Sequence, residues 1–211
     1  MTLPDPTALI AGTPVIPVLT VLRAADAVPL ARALVEGGLP VIEVTLRTSD
    51  ALEAISAIGR AVPEATVGAG TVTGPDDIVR ARDAGARFLV SPGTPPALAE
   101  ALAASGMPAI PGCTTVSEAM ALAARGFSLL KFFPAEASGG VAWLKAVAAP
   151  LPGIAFCPTG GIDARNAAAY LALANVVAVG GSWVSPREAV ANGDFARIAS
   201  LARDAARLAT S

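Results

Sequence analysis

The sequence predicts an α/β protein in which eight parallel strands alternate with helices and close into a (β/α)8 barrel. Two observations support this class: short apolar runs alternate with helix-like stretches, and the alternation repeats eight times in 211 residues. Such alternation is typical of right-handed βαβ units and a parallel sheet, and eight units fit the lower end of the barrel size range. An open doubly wound sheet is the alternative, but no Gly-x-Gly-x-x-Gly motif follows the first strand. We expect one domain over residues 1–211.

The strands are predicted from apolar runs that end at turn-forming residues. A short continuous apolar run of this kind is typical of a strand buried on both faces of a parallel sheet. In chain order the predicted strands are Val15–Leu19, Val41–Leu46, Ala65–Thr71, Arg87–Ser91, Ala109–Pro111, Ser128–Pro134, Ile154–Pro158 and Val176–Val179.

Helix boundaries carry their own signals. Pro75 suits a first helical turn, Gly85 suits a helix end, and Thr115 with Glu118 fits a capping box. A short N-terminal helix is expected within Pro4–Gly12. The other predicted helices are Ala24–Glu36, Asp50–Ala61, Pro75–Ala84, Pro95–Ala104, Thr115–Arg125, Val141–Ala148, Asp163–Leu173, Pro186–Val190 and Asp194–Leu208.

Composition narrows the class of partner. The net charge is −2 with both signs scattered, so we expect no nucleic acid and no membrane surface as partner. No apolar stretch approaches the ~18 residues of a membrane span, and Met1–Thr13 lacks the charged and apolar regions of a signal peptide. We therefore expect a cytoplasmic protein with a small-molecule partner.

Histidine is absent, which excludes Ser-His-Asp and Cys-His catalysis and removes the commonest transition-metal ligand. Cys113 and Cys157 match no zinc spacing and fit small buried residues. We expect no metal and no cofactor, so that proton transfer falls to carboxylates, tyrosine or water.

Lys131 is the candidate nucleophile. It is one of two lysines in the chain and stands inside an apolar strand, whereas Lys145 lies in a helix-like stretch. Burial disfavours the protonated amine, and a neutral amine can attack a carbonyl to form a Schiff base; an arginine cannot do this. The alternative is a lysine that extends its head to water or pairs with a carboxylate.

The second strand supplies a carboxylate and a guanidinium. Glu43 stands between Ile42 and Val44, so its side chain points opposite to theirs and into a barrel. It is the best acid/base candidate, and an ion pair with an arginine is the alternative. Arg47 closes the same strand and suits a substrate carboxylate, while Thr45 either lines the pocket or is only a strand residue.

Several strands end in small residues, which permit close approach of a ligand to the backbone. The third and fourth strands end in Gly68–Thr71 and Ser91–Gly93. Paired glycines follow the seventh and eighth strands, in Thr159–Asp163 and Gly180–Ser182, the two loops from which barrel enzymes usually build a phosphate site. An amine, a carboxylate, an arginine and a phosphate site together suit a phosphorylated keto acid handled through an imine.

Seven motifs follow one another along the chain: Val-Ile-Glu-Val-Thr-Leu-Arg-Thr, Gly-Ala-Gly-Thr-Val, Ser-Pro-Gly, Pro-Gly-Cys-Thr-Thr-Val-Ser-Glu, Lys-Phe-Phe-Pro-Ala, Pro-Thr-Gly-Gly-Ile and Gly-Gly-Ser-Trp. In these motifs, and over essentially its whole length, the chain closely resembles the class I 2-keto-3-deoxy-6-phosphogluconate (KDPG) aldolases, which are often bifunctional for 2-keto-4-hydroxyglutarate (KHG).

The resemblance implies a role for each matched residue. Lys131 would form the imine with pyruvate, Glu43 would be the acid/base, and Arg47 and Thr71 would hold the pyruvyl carboxylate. Pro92 and Phe133 would form the walls of the pocket. The residues that would receive the phosphate are Thr159, Gly160, Gly161 and Ser182. A homotrimer and a role in the Entner–Doudoroff route are also implied.

Three other functions remain open at this point. The same chemistry could act on the galactonate epimer, although Arg47 after Thr45-Leu46 resembles the gluconate type. A sugar-phosphate binder without catalysis and a phosphosugar isomerase would use the same phosphate loops without an imine.

Overall fold

The computed structural model describes residues 3–209, so the outermost residues of the predicted domain lie outside the described part. The described chain contains two parallel sheets. Six strands pair in the order β5-β4-β3-β2-β1-β9, and three pair in the order β6-β7-β8. Their bounds are β1 Val15–Leu19, β2 Val41–Thr45, β3 Thr66–Gly70, β4 Leu89–Val90, β5 Ala109–Ile110, β6 Gly112–Cys113, β7 Leu129–Phe132, β8 Ala155–Pro158 and β9 Val179–Gly181.

The predicted continuous eight-stranded ladder does not form, and the chain shows why. Pro111 separates β5, which pairs with β4, from β6, which pairs with β7. A proline has no N–H to donate to a ladder, so the predicted fifth strand splits there. Between β8 and β9 only isolated bridges occur, at Phe156 with Val176 and Thr159 with Gly180. The α/β class and parallel pairing are confirmed, whereas one unbroken closed sheet is not observed.

Helices follow most strands close to their predicted bounds. They are α1 Thr7–Ile10, α2 Ala24–Glu36, α3 Ala51–Ala61, α4 Pro75–Asp83, α5 Pro96–Ala104, α6 Val116–Ala123, α7 Gly140–Ala148, α8 Ala167–Leu171, α9 Arg187–Ala191 and α10 Phe195–Ala206, with 3-10 turns at Glu136–Ser138 and Arg207–Ala209. The capping box is confirmed, because the Glu118 N–H donates to the Thr115 hydroxyl at 3.2 Å and the Thr115 N–H donates to the Glu118 carboxylate at 2.8 Å.

Two predicted elements are displaced. The eighth strand was expected at 176–179 but is β9, Val179–Gly181. The helix expected from Asp163 starts only at Ala167, since the Asp163 N–H donates to the Asn166 side chain at 2.9 Å and the Arg165 N–H donates to the Asp163 carboxylate at 2.8 Å. Such side chain to backbone bonds compete with a helix start.

Two apolar clusters divide the core. The larger one fills the space between the strands and the helices. The smaller one joins side chains from several strands and from α1, and its buried members are Ile10, Ile16, Val41, Phe88, Val90, Ile110, Leu129, Cys157 and Ala178. Because successive strand residues face opposite sides, this smaller cluster occupies the interior that the strands surround.

None of the helices in the described part of the chain combines the length and the apolar character that a bilayer crossing requires.

Candidate active site

A buried ion pair lies in the interior that the strands surround. The Lys131 ammonium nitrogen Nζ, from β7, lies 3.1 Å from Glu43 Oε1 and 3.4 Å from Glu43 Oε2, on β2. Lys131 is 5% exposed and Glu43 is 3% exposed. Two charges buried this deeply are tolerated when each compensates the other, so each side chain stabilises the burial of its partner.

Strand alternation places both residues inside. Val41 on β2 and Leu129 on β7 belong to the interior cluster, and Glu43 and Lys131 stand two residues further along, on the same faces. Their neighbours Ile42 and Leu130 face the helices instead. The predicted inward direction of Glu43 and the predicted burial of Lys131 are therefore seen in the structure.

A glycine makes room for the carboxylate. A Cβ built on Gly70, at the end of β3, would lie 2.1 Å from Glu43 Oε1 and 2.6 Å from its Cδ. Real carbon–oxygen contacts are far longer, so a side chain at position 70 would displace Glu43. Gly70 thus sets the place of the Glu43 carboxylate by its lack of a side chain.

The structure identifies the charged partner of each of these two side chains. Lys131 does not extend to water; it pairs with a carboxylate, and that carboxylate is Glu43. The partner of Glu43 is accordingly a lysine and not an arginine. Lys131 also lies 5.5 Å from the centre of the Phe133 ring, a distance at which a cation is attracted to the ring face.

Cys157 is the neighbour of Lys131 on the adjacent strand β8. Burial raises the pKa of this thiol to about 12, although the Lys131 charge opposes the shift. A thiol in this state is not a nucleophile near neutral pH. Cys157 is therefore not a candidate nucleophile near neutral pH.

A cavity of about 650 Å³ opens beside the ion pair. Six residues predicted for the site line it: Arg47, Phe133, Thr159, Gly160, Gly161 and Ser182. Lys131, Glu43, Thr71 and Pro92 are not among its lining residues. Phe133 connects the two regions, since it lines the cavity and faces Lys131.

Thr71 and Pro92 are placed by contacts of their own. Arg47 Nε donates to Thr71 Oγ1 at 3.2 Å, which ties Thr71 to the cavity wall. Thr71 has φ 60°, a conformation that is an outlier for a β-branched residue and that accumulates at functional sites. Pro92 instead packs on β6, because a Cβ on Gly112 would lie 2.5 Å from the Pro92 carbonyl carbon.

Thr45 does not take part in the site. Its hydroxyl is fully buried and donates to the Leu19 carbonyl at 2.9 Å. The interpretation of Thr45 as a strand residue is therefore the correct one.

The first glycine-pair loop folds against the segment that follows Lys131. Gly160 and Gly161 have φ values of 104° and 78°, in the left-handed region that favours glycine. The Ala135 N–H donates to the Thr159 carbonyl at 2.8 Å, and the Glu136 N–H donates to the Gly160 carbonyl at 3.1 Å. These bonds hold the loop at the mouth of the cavity.

Sequence reasoning missed part of the cavity wall. The additional lining residues come chiefly from the segments after β1 and β9, and they include Leu22, Arg23, Asp26, Ser185 and Arg187. A signal existed, because the connections that follow parallel strands line the pocket of such folds. Their residue types alone did not mark them.

The sequence model of the aldolase family described as KDPG and KHG aldolase matches residues 7–201. This chain belongs to that family. It is 49% identical over 202 residues to the 2-dehydro-3-deoxy-phosphogluconate aldolase of Dickeya dadantii (strain 3937), covering 96% of this chain and 95% of that relative. It is 50% identical over 192 residues to the KHG/KDPG aldolase of Escherichia coli (strain K12), and this match covers 91% of this chain and 90% of that relative.

A solved structure agrees over the same span. The KDPG aldolase of Legionella pneumophila superposes with a TM-score of 0.92 at 44% identity, covering 95% of this chain and 97% of that one. That crystal structure holds pyruvate captured at low pH as a covalent carbinolamine intermediate. Covalent capture of pyruvate in a member of the KDPG and KHG aldolase family is what an amine nucleophile produces.

Within residues 3–209 of this aldolase, no three side chains of the metal-binding types gather into a group that could hold a metal ion. The expectation that the reaction needs neither metal nor cofactor stays a prediction, which activity in the presence of a chelator would test.

Proposed function

We propose that this chain is a class I aldolase that cleaves KDPG to pyruvate and glyceraldehyde 3-phosphate. We propose further that it cleaves 4-hydroxy-2-oxoglutarate to pyruvate and glyoxylate. One observation carries the proposal: a buried lysine amine lies 3.1 Å from a buried carboxylate, with a cavity for substrate next to it. The family membership and the pyruvate adduct of the Legionella relative support it.

The ion pair can begin the reaction by itself. Glu43 accepts a proton from the Lys131 ammonium, which leaves a neutral amine. The amine attacks the C2 ketone, a C–N bond forms, and proton transfer from nitrogen to oxygen gives a carbinolamine. Glu43 then donates its proton to the carbinolamine hydroxyl, water leaves, and a protonated imine remains.

Cleavage and release use the same carboxylate. Glu43 accepts the proton of the C4 hydroxyl, the C3–C4 bond breaks, and its electron pair moves into the imine, which gives an enamine and the free aldehyde. Glu43 next donates its proton to C3 of the enamine. Water then hydrolyses the resulting imine, which releases pyruvate and restores the Lys131–Glu43 pair.

The two ends of the substrate would bind on different parts of the cavity. Arg47 and Thr71, which already share a hydrogen bond, would hold the pyruvyl carboxylate, and Phe133 with Pro92 would flank the reacting carbons. The groups proposed to receive the phosphate are Thr159, Gly160, Gly161 and Ser182. Guanidinium forks and free backbone N–H groups are suited to these two anions.

Borohydride trapping tests the proposal. Incubation with pyruvate and borohydride should add the mass of a reduced pyruvyl group to the peptide that carries Lys131, and Lys145→Arg should leave the labelling unchanged. A label on Lys145, or no label with unimpaired cleavage, would contradict the imine mechanism. Loss of activity in EDTA would contradict the absence of a metal.

Preference between the gluconate and galactonate epimers is a finer part of the proposal. We infer the gluconate substrate because the relatives at 49% and 50% identity carry gluconate-type names. Comparison of kcat/KM for the two epimers, which differ at one hydroxyl, measures this preference.

Five broader features also remain proposals. We infer a closed (β/α)8 arrangement, because isolated bridges between β8 and β9 and the short break at Pro111 are the interruptions in an otherwise complete order of strands. A single domain over residues 1–211, a cytoplasmic location and a role in the Entner–Doudoroff route follow from the sequence and the family. A homotrimer would show a mass of three times the chain's 20.9 kDa in light scattering.

A further inference from the structure

Arg187 is an exposed cation at the mouth of the cavity with no partner in the described part of the chain. It is the first residue of α9 and lines the cavity. Within residues 3–209 the structure gives its side chain no hydrogen bond and no ion pair. The neighbouring acid Glu188 pairs with another arginine, since it accepts from Arg197 Nη1 at 2.9 Å.

The charges around the cavity show why this matters. Its charged lining residues are Arg23, Asp26, Arg47 and Arg187. Arg23 and Asp26 neutralise each other through two hydrogen bonds of 2.8 Å. Among the residues that the structure describes, Arg47 and Arg187 are then the two cavity cations without an acidic partner. A cavity with two such cations attracts a ligand with two anionic ends.

The two cations stand on different connections. Arg47 follows β2 and bonds Thr71, at the end proposed for the carboxylate. Arg187 lies on the connection after β9, five residues beyond Ser182. It therefore shares a connection with one of the groups proposed to receive the phosphate.

We propose that Arg187 is a specificity-determining residue that binds the phosphate of the aldehyde half of the substrate. The inference rests on the proposed aldolase function. A guanidinium donates several N–H groups in one plane and stays charged at all working pH values, which suits a phosphate better than backbone N–H groups alone. Its contact selects phosphorylated aldehydes over the same aldehydes without phosphate.

The test uses one reaction with two matched acceptors. Aldol addition of pyruvate to D-glyceraldehyde 3-phosphate and to D-glyceraldehyde is measured for wild type, Arg187→Gln, Arg187→Lys and the control Arg87→Gln. The readout is the ratio of kcat/KM for the two acceptors. Arg87 is an exposed arginine before β4 that is not among the cavity lining residues.

Arg187→Gln should lower this ratio roughly tenfold. This value is the lower end of the range for a hydrogen bond to a charged group, and we use the lower end because Arg187 is exposed. Arg187→Lys should restore part of the ratio, and Arg87→Gln should leave it unchanged. A ratio within twofold of wild type in Arg187→Gln would overturn the inference, and so would an equal fall in Arg87→Gln.

Pyruvate trapping separates this inference from the proposed function. If borohydride traps pyruvate on wild type and on Arg187→Gln while the ratio stays at the wild-type value, the phosphate role of Arg187 is wrong and the aldolase function stands. If wild type forms no pyruvate adduct, the proposed function itself is wrong. Circular dichroism of Arg187→Gln and Arg187→Lys shows that a changed ratio comes from folded protein.

Discussion

A substitution that adds one methyl group, Gly70→Ala, should inactivate this aldolase. The new Cβ would lie 2.1 Å from Glu43 Oε1 and 2.6 Å from its Cδ and Cγ. Contact at about 3.3 Å is the closest that such atoms tolerate, so the carboxylate must move by roughly 1 Å. Since Lys131 Nζ lies 3.1 Å from Oε1, we expect such a move to disturb the length or the angle of this hydrogen bond.

The size of the effect follows from the role of the carboxylate. A catalytic group misplaced by about 1 Å costs roughly a hundredfold in rate, so kcat for KDPG cleavage should fall at least that far. Removal of one partner of a buried ion pair costs about 3 to 5 kcal/mol, so displacement of Glu43 should cost no more than this, and urea unfolding followed by circular dichroism measures it.

The assay couples pyruvate release to NADH oxidation by lactate dehydrogenase. Gly74→Ala is the matched control, because it lies four residues further along and a Cβ there would have no atom within 4 Å. It should retain wild-type kcat. If Gly70→Ala keeps kcat within threefold of wild type, or loses no more than Gly74→Ala, the argument that Gly70 positions Glu43 is refuted.

Three further outcomes are expected. Lys131→Met should lower kcat by roughly a thousandfold or more and abolish pyruvate trapping, while Lys145→Met, at an exposed helix position, should do neither. Two backbone N–H groups at the start of α6 hold the pKa of Glu118 below its ordinary value of 4.5. Its contribution to stability is therefore full above the unfolded-state pKa and is lost as the pH falls through the folded-state pKa, so acidification below about 4.5 should destabilise wild type more than Glu118→Gln in urea titrations. Burial raises the pKa of Cys113 and Cys157 to about 12, so an aromatic disulfide reagent at pH 8 should titrate no thiol in native protein and two in denaturant.

Much of the site could be predicted because strand periodicity is a local property. A carboxylate between Ile42 and Val44 must face away from both, and the structure confirms that Glu43 is 3% exposed on the interior side. The apolar run around Lys131 likewise predicted burial, and the amine is 5% exposed. Six of the ten residues predicted for the site line the cavity.

The failures arose where a residue's position depends on distant contacts. The split at Pro111 follows from its two flanking segments pairing with different sheets. The last strand starts at Val179, because Val179 is its first residue to pair with β1, opposite Val15. The place of Arg187 in the cavity wall had no signal in its residue type, since an arginine at a helix start is usually a solvated side chain.

Local sequence determined which strand side chains face the interior and which strands end in glycine. It also determined that the interior holds two ionisable groups of interest, the amine of Lys131 and the carboxylate of Glu43. It could not determine that these two groups meet, because Glu43 and Lys131 are 88 residues apart and lie on strands that are not neighbours in either sheet. Their 3.1 Å separation exists only when the sheets curve to face each other, with Gly70 leaving the necessary space. Periodicity orients a side chain relative to its own strand, whereas the distance between two strands across an interior is set by the packing of the whole chain.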